Sequence, residues 1–153
     1  MNHIRIGIIY STYYDDYHKM LDAALTEIEK QSVLASIVSP VPGCYDMPLL
    51  AKIIVQKDYI DAVICLGVVL PIPYVSTGAA PDDEITSWDE TLANNVLAHL
   101  DRLSIEYGKP VVKEIIGPGF PVGMVEEQMA EYAVAGVRAA IQLVKEVRRL
   151  SAL

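Results

Sequence analysis

VPGCYDMPLLAKIIVQKDYIDAVICLGVVL, residues Val41 to Leu70, carries a turn, a helix and a strand in that order. Its last part, Ala62 to Leu70 (AVICLGVVL), is an unbroken apolar run rich in β-branched residues. That is too continuous for a strand with one wet face, and it reads as a parallel strand buried on both sides. Upstream, Asp46 precedes Met47-Pro48, the pattern of a helix N-cap with proline in the first turn, where no amide hydrogen is missed. The helix is expected to run to about Lys57.

The flanking sequence repeats the alternation. Ile4 to Tyr10 (IRIGIIY) is a second buried strand, and Tyr17, Met20, Leu21, Ala24, Leu25 and Ile28 fall at helical spacing within a helix predicted over Asp16 to Lys30. Val33 to Val38 follows as a strand. Ser87-Trp88-Asp89-Glu90 has the form of a capping box, after which Leu92, Val96, Leu100 and Leu103 mark a buried helical face. Tyr107-Gly108-Lys109-Pro110 ends that helix, since glycine accepts a left-handed cap and proline cannot continue. Val111 to Ile116 is the fourth strand and Gly117-Pro118-Gly119 the turn after it. A last helix, Met124 to Leu150, carries Glu126 and Glu127 in its first turn and Lys145, Arg148 and Arg149 in its last, matching the helix dipole.

Four strand-then-helix units with right-handed crossovers predict an α/β fold of flavodoxin-like topology: a three-layer αβα sandwich around a four-stranded parallel sheet, as a single domain over residues 1–153. Such sheets take ligands outside the carboxyl ends of their strands, at the switch in strand order. Ser11 to Tyr14, Val41 to Asp46, Leu70 to Trp88 and Gly117 to Phe120 then share one rim.

Composition narrows the function. Twelve Lys and Arg against 20 Asp and Glu give a formal charge of -8, which repels nucleic acid and anionic lipid. No apolar run approaches the ~20 residues of a membrane helix, and no signal-peptide pattern precedes the first strand, so a cytoplasmic protein is expected. The hydrophobic fraction of 52% and mean hydropathy of +0.30 exceed what one small sheet hides, and the excess reads as subunit interface. Two cysteines, Cys44 and Cys65, make neither a disulfide framework nor a metal site.

The segment VPGCYDMPLLAKIIVQKDYIDAVICLGVV (Val41 to Val69) resembles the signature region of the 6,7-dimethyl-8-ribityllumazine synthase family, and KPVVKEIIGPG (Lys109 to Gly119) resembles its archaeal members. The resemblance implies the condensation of 5-amino-6-ribitylaminouracil with dihydroxybutanone 4-phosphate, with no redox or metal cofactor. It also implies homopentamers or capsids whose sites are shared between neighbours, so the partners expected are a ribityl-pyrimidine or lumazine and further copies of the chain. Carried over residue by residue, it places Tyr13 as the aromatic stacking on the pyrimidine. Gly43, Cys44, Tyr45 and Asp46 become the turn holding the ring edge and ribityl chain, where a carboxylate accepts hydroxyl hydrogen bonds. Val68 and Val69 line the same pocket.

The family's G-E-T-x-H motif is absent after Val69, replaced by the long stretch Pro71 to Glu84. Alignment from Leu103-Ser104-Ile105-Glu106-Tyr107 backward keeps Thr86 as the phosphate-binding threonine but sets Trp88 on the family's histidine. Gln128 and Ala135 fall where basic phosphate ligands are expected, and Lys113 where an apolar residue reaches the ligand. From Asp58 through Asp101 the chain has no lysine or arginine, so a phosphate needs Lys113 or Arg138, from this subunit or a neighbour. His18 and His99 are candidate replacement bases, although the spacing puts His99 on the apolar side of its helix as a packing residue. Cys44 has no histidine placed near it by sequence, so it is not expected to act as a nucleophile. Two other functions fit the same pattern. One is an archaeal-type riboflavin synthase, whose TTF turn resembles Ser11-Thr12-Tyr13; the other is a flavin- or lumazine-binding paralogue without chemistry.

Overall fold

The computed structural model describes residues 3–14, 17–69, 83–117 and 122–153, with Tyr17, 83–90 and 122–127 described as backbone. Among these residues, four strands, β1 (Arg5–Ser11), β2 (Leu34–Val41), β3 (Ala62–Val68) and β4 (Val111–Ile116), alternate with four helices, α1 (Tyr17–Lys30), α2 (Met47–Val55), α3 (Asp83–Tyr107) and α4 (Val122–Ser151). All strand pairs are parallel and their order is β2-β1-β3-β4, the flavodoxin-like order with one strand fewer.

The burial of each strand follows from its place in the sheet. All seven residues of β3 are buried, which is why its sequence shows no alternation. At the β2 edge, burial alternates between intermediate and exposed along most of the strand. A register shift between Ile6 and Gly7 of β1 leaves Ser36 of β2 unpaired, a bulge of the kind that bends and twists an edge strand.

Two cores cover the two faces. Ile6, Ile8, Ile64 and Leu66 meet Met20, Ala24 and Ile28 of α1 and Ala133, Val137 and Ala140 of α4. On the opposite face, Ile9, Val63 and Cys65 meet Met47, Ala51, Ile54 and Val55 of α2 and Val96, Leu100 and Leu103 of α3. Each large aliphatic side chain buried there stabilises the fold by about 1.5–3 kcal/mol. A Cβ on Gly7 would lie 2.5 Å from Ile54 Cγ2, so glycine in β1 is what lets α2 pack this close.

Two helix starts differ from the sequence reading. Helix α3 begins at Asp83, which puts Ser87 inside it rather than at its cap. Helix α4 begins at Val122 and has no acidic residue in its first turn, so Glu126 and Glu127 sit one turn further in. Gly108 takes the expected left-handed conformation, with φ 63°. Beside it, the Lys109 ammonium donates to the carbonyls of Val55 (3.0 Å) and Lys57 (2.9 Å), closing the end of α2. The Gly117-Pro118-Gly119 turn falls largely outside the described residues.

Helices α1 and α4 are joined by one buried carboxylate. Glu27, whose side chain is 4% exposed, accepts hydrogen bonds from Arg138 Nε (2.9 Å) and Gln31 Nε2 (2.8 Å). The Arg138 bond, and then the Gln31 bond, hold its carboxyl below the ordinary value of 4.5. A depressed folded-state pKa contributes stability above the unfolded value and loses it as pH falls through the folded one. In urea titrations, Glu27→Gln is therefore expected to be less stable than the parent at pH 7, with the gap constant down to about pH 4.5 and closing below it.

Candidate functional site

The carboxyl ends of β1, β2 and β3 are stitched together by short contacts. Thr12 N–H donates to the Val41 carbonyl at 2.9 Å, and Tyr13 N–H donates to Ser11 Oγ at 3.3 Å. After Val41, Pro42 and Gly43 lead into a 3-10 turn, Cys44–Asp46, that enters α2 directly. Cys44 anchors this turn. Its buried thiol donates to the Val68 carbonyl at 3.6 Å and hydrogen-bonds with Ser11. It sits where β3 has no side chain, since a Cβ on Gly67 would lie 2.4 Å from Cys44 Sγ.

Anchoring Cys44 turns the next two side chains outward. Tyr45 is 44% exposed and Asp46 is also exposed. Asp46 occupies the N-cap position of α2 as the sequence predicts, yet its carboxylate makes no capping hydrogen bond. The stabilisation of roughly 1 kcal/mol that a cap supplies is forgone, and the carboxylate faces an open cavity of about 520 Å³ instead. Pro40, Val41, Pro42, Tyr45, Asp46, Pro48, Leu49, Leu50 and His99 line it, a ligand-sized apolar cleft with a few polar groups.

This cavity lies at the Val41 to Asp46 part of the predicted rim, while the rim stretches at 70–82 and 118–121 fall outside the described residues. Among the described residues, at the switch in strand order between β1 and β3, Ser11, Tyr14, Met20, Leu66, Gly67, Val68 and Met129 enclose about 10 Å³, room for one water at most. Large side chains from α1 and α4 fill the crevice there.

The structure brings some candidate residues together and separates others. Tyr13 is 64% exposed, one residue beyond the Thr12 link to the cavity wall at Val41, with its ring edge-on to Tyr14 at 5.0 Å. Gly43 is extended, with φ -154°, a conformation any residue adopts. Val68 and Val69 are buried at the tip of β3, and Val68 lines the narrow crevice rather than the open cavity. Thr86 and Trp88 lie in the backbone of α3, and their side chains fall outside the described residues.

Lys113 does not join this group. It lies on β4, at the opposite edge of the sheet from β2, about three strand spacings or 14 Å away. There it forms an ion pair with Asp101 of α3, and burial pulls its ammonium pKa down. Arg138, the other candidate cation, is held by Glu27.

Sequence reasoning misplaced His99. Its spacing from Val96 and Leu103 put it on the packed side of α3, but it is exposed and lines the cavity. The margin of the apolar stripe runs along the gap between α3 and the turn, and only the packing of the two elements reveals that gap.

An α/β protein with a ligand-sized cleft beside the carboxyl end of a parallel strand belongs to the class that binds small molecules there. The sequence model of the 6,7-dimethyl-8-ribityllumazine synthase family matches residues 3–150, and the chain belongs to this family. It is 37% identical over 151 residues to the 6,7-dimethyl-8-ribityllumazine synthase of Saccharolobus solfataricus, covering 98% of this chain and 90% of that protein. It is 35% identical over 148 residues to the enzyme of the same name from Sulfolobus acidocaldarius, covering 96% and 86%. With the one from Metallosphaera sedula it shares 32% identity over 148 residues, covering 96% and 90%.

The cysteine in the turn is a structural anchor and not a nucleophile. Desolvation by burial pushes its thiol up to about 11 and that of Cys65 up to about 12, and a protonated thiol does not attack. Ellman's reagent at pH 8 is expected to leave both thiols untouched in the folded protein and to titrate two per chain in guanidinium.

Proposed function

We propose that this chain, as one lumazine synthase-like domain over residues 1–153, catalyses the condensation of 5-amino-6-ribitylaminouracil with dihydroxybutanone 4-phosphate to 6,7-dimethyl-8-ribityllumazine in riboflavin biosynthesis. The observation that carries this reading is the Cys44–Asp46 turn, which leaves the Asp46 carboxylate uncapped beside a cleft of ligand size in a chain matched by the family over residues 3–150. In this reading, the ribityl hydroxyls donate to Asp46, and Tyr13 covers the flat ring. Val68 and Val69 hold the turn from beneath. No cofactor takes part, because amine addition to a ketone and loss of water and phosphate leave every oxidation level balanced within the two substrates.

The phosphate is the demanding group. Within one chain, Lys113 and Arg138 are already bound to carboxylates. Edge-to-edge packing of copies would set the β4 edge of one beside the β2 edge of the next, so that Lys113 exchanges Asp101 for a neighbour's phosphate. Apolar side chains at the β2 flank favour such packing: Leu34 and Val38 on β2 and Leu49 and Ile53 on α2 are all more than 40% exposed. A homopentamer or larger ring in the cytoplasm follows from this reading.

Titration of the protein with ribitylaminouracil in a calorimeter is expected to give saturable binding, and addition of dihydroxybutanone phosphate to give lumazine absorbance above the spontaneous rate. Lumazine alone is expected to give no flavin fluorescence; flavin production would make the protein a riboflavin synthase, and binding without turnover a paralogue that has lost the chemistry. Ile53→Asp, away from the cavity lining, is expected to retain its circular dichroism while shifting to smaller species in sedimentation velocity.

A further inference from the structure

We propose that His99 moves the protons in this condensation, an inference that rests on the activity proposed above. The cavity places its imidazole in the same cleft as Tyr45 and Asp46. Those two belong to the turn that the family resemblance assigns to the pyrimidine and its ribityl chain. The position where that resemblance expects a histidine holds Trp88, whose indole N–H donates a hydrogen bond but accepts no proton.

The other two imidazoles are placed elsewhere. His3 precedes β1, at the amino ends of the strands, and His18 lies on α1, which covers the opposite face of the sheet. His99 is exposed on a helix position whose spacing suits a packed residue. It is one of the residues lining the cleft. Among the described residues, Asp46 and Tyr45 are the titratable groups that share the cleft with it from the turn, and Arg102 stands one turn further along α3. The end of β2 and helix α2 contribute only apolar side chains to the lining.

The step that needs such a group follows from the reactants. The 5-amino nitrogen forms a bond to the ketone carbon, and the carbonyl π pair moves to oxygen. One amine proton passes from nitrogen to that oxygen, giving a carbinolamine. The second amine proton is then removed, the nitrogen pair forms C=N, and the hydroxyl leaves with a proton as water. Both amine hydrogens end on the water. An imidazole has both a donor and an acceptor nitrogen and so serves both transfers, with His99 lining the same cleft as the 3-10 turn.

The test compares the parent with His99→Gln and His99→Ala, measuring lumazine formation from ribitylaminouracil and dihydroxybutanone phosphate between about pH 5 and about pH 8. Positioned acid–base catalysis is typically worth about 10²–10⁴-fold. A fall in kcat within that range is expected, with KM for the pyrimidine changed only a few-fold and the acidic limb of the kcat profile flattened. Added imidazole is expected to restore part of the rate in His99→Ala, which a purely structural residue would not allow. Parent-like kcat in both variants, or a loss that keeps the pH profile and ignores imidazole, overturns the role of His99. Absence of turnover in the parent overturns the proposed activity itself.

Discussion

The contact between the Cys44 sulfur and the bare backbone of Gly67 governs the geometry of the site. A Cβ there would lie 2.4 Å from the sulfur, 3.2 Å from Ser11 Cβ and 3.3 Å from Met47 Cε. Three elements therefore converge on one missing side chain: the end of β1, the turn after β2 and the start of α2. Close packing of this kind tolerates little displacement, so the residues after Cys44 have a fixed exit direction. Tyr45 and Asp46 point outward because their neighbour is held inward.

Charge is distributed with the same economy. Helices α1 and α4 are coupled by Glu27 and Arg138. Asp61 accepts from the Arg5 amide and from Arg148, tying the amino end of β1 to the far end of α4. Two cations with reach into the fold are thus spent on architecture, and Lys113 is shared with Asp101. The cleft itself presents a carboxylate, a phenol and an imidazole, a set suited to hydroxyls and proton transfer. An anion needs charge from elsewhere, and this makes association part of the chemistry in the proposed reading.

Most of the architecture was legible in the residues. Continuous apolar runs announced buried parallel strands at β1 and β3, and β4 coincides with Val111 to Ile116 as read. Glycine and proline after Tyr107 marked the end of α3, where Gly108 takes the left-handed cap. The failures were at helix starts. Capping boxes are local patterns, and Ser87 to Glu90 satisfies one while lying inside a helix that acidic residues begin four positions earlier. β2 also runs three residues further than its apolar pattern, to Val41, because backbone pairing with β1 continues through Pro40, which needs no amide donor at an edge.

The sequence by itself determined the order of elements, the parallel sheet and the turn from Val41 to Asp46, since each depends on short-range periodicity and capping chemistry. Only the tertiary structure decided which of those residues meet. Among the described residues, Met20, Leu66 and Met129 narrow the strand-order crevice, while open space forms beside β2, where α3 brings His99, more than 50 residues further along the chain than the turn, into the same lining. Lys113, grouped with the site by resemblance, is carried to the other edge of the sheet. Which side chains meet across the sheet is set by the packing of both helical layers against it at once, and no local pattern in the chain encodes that.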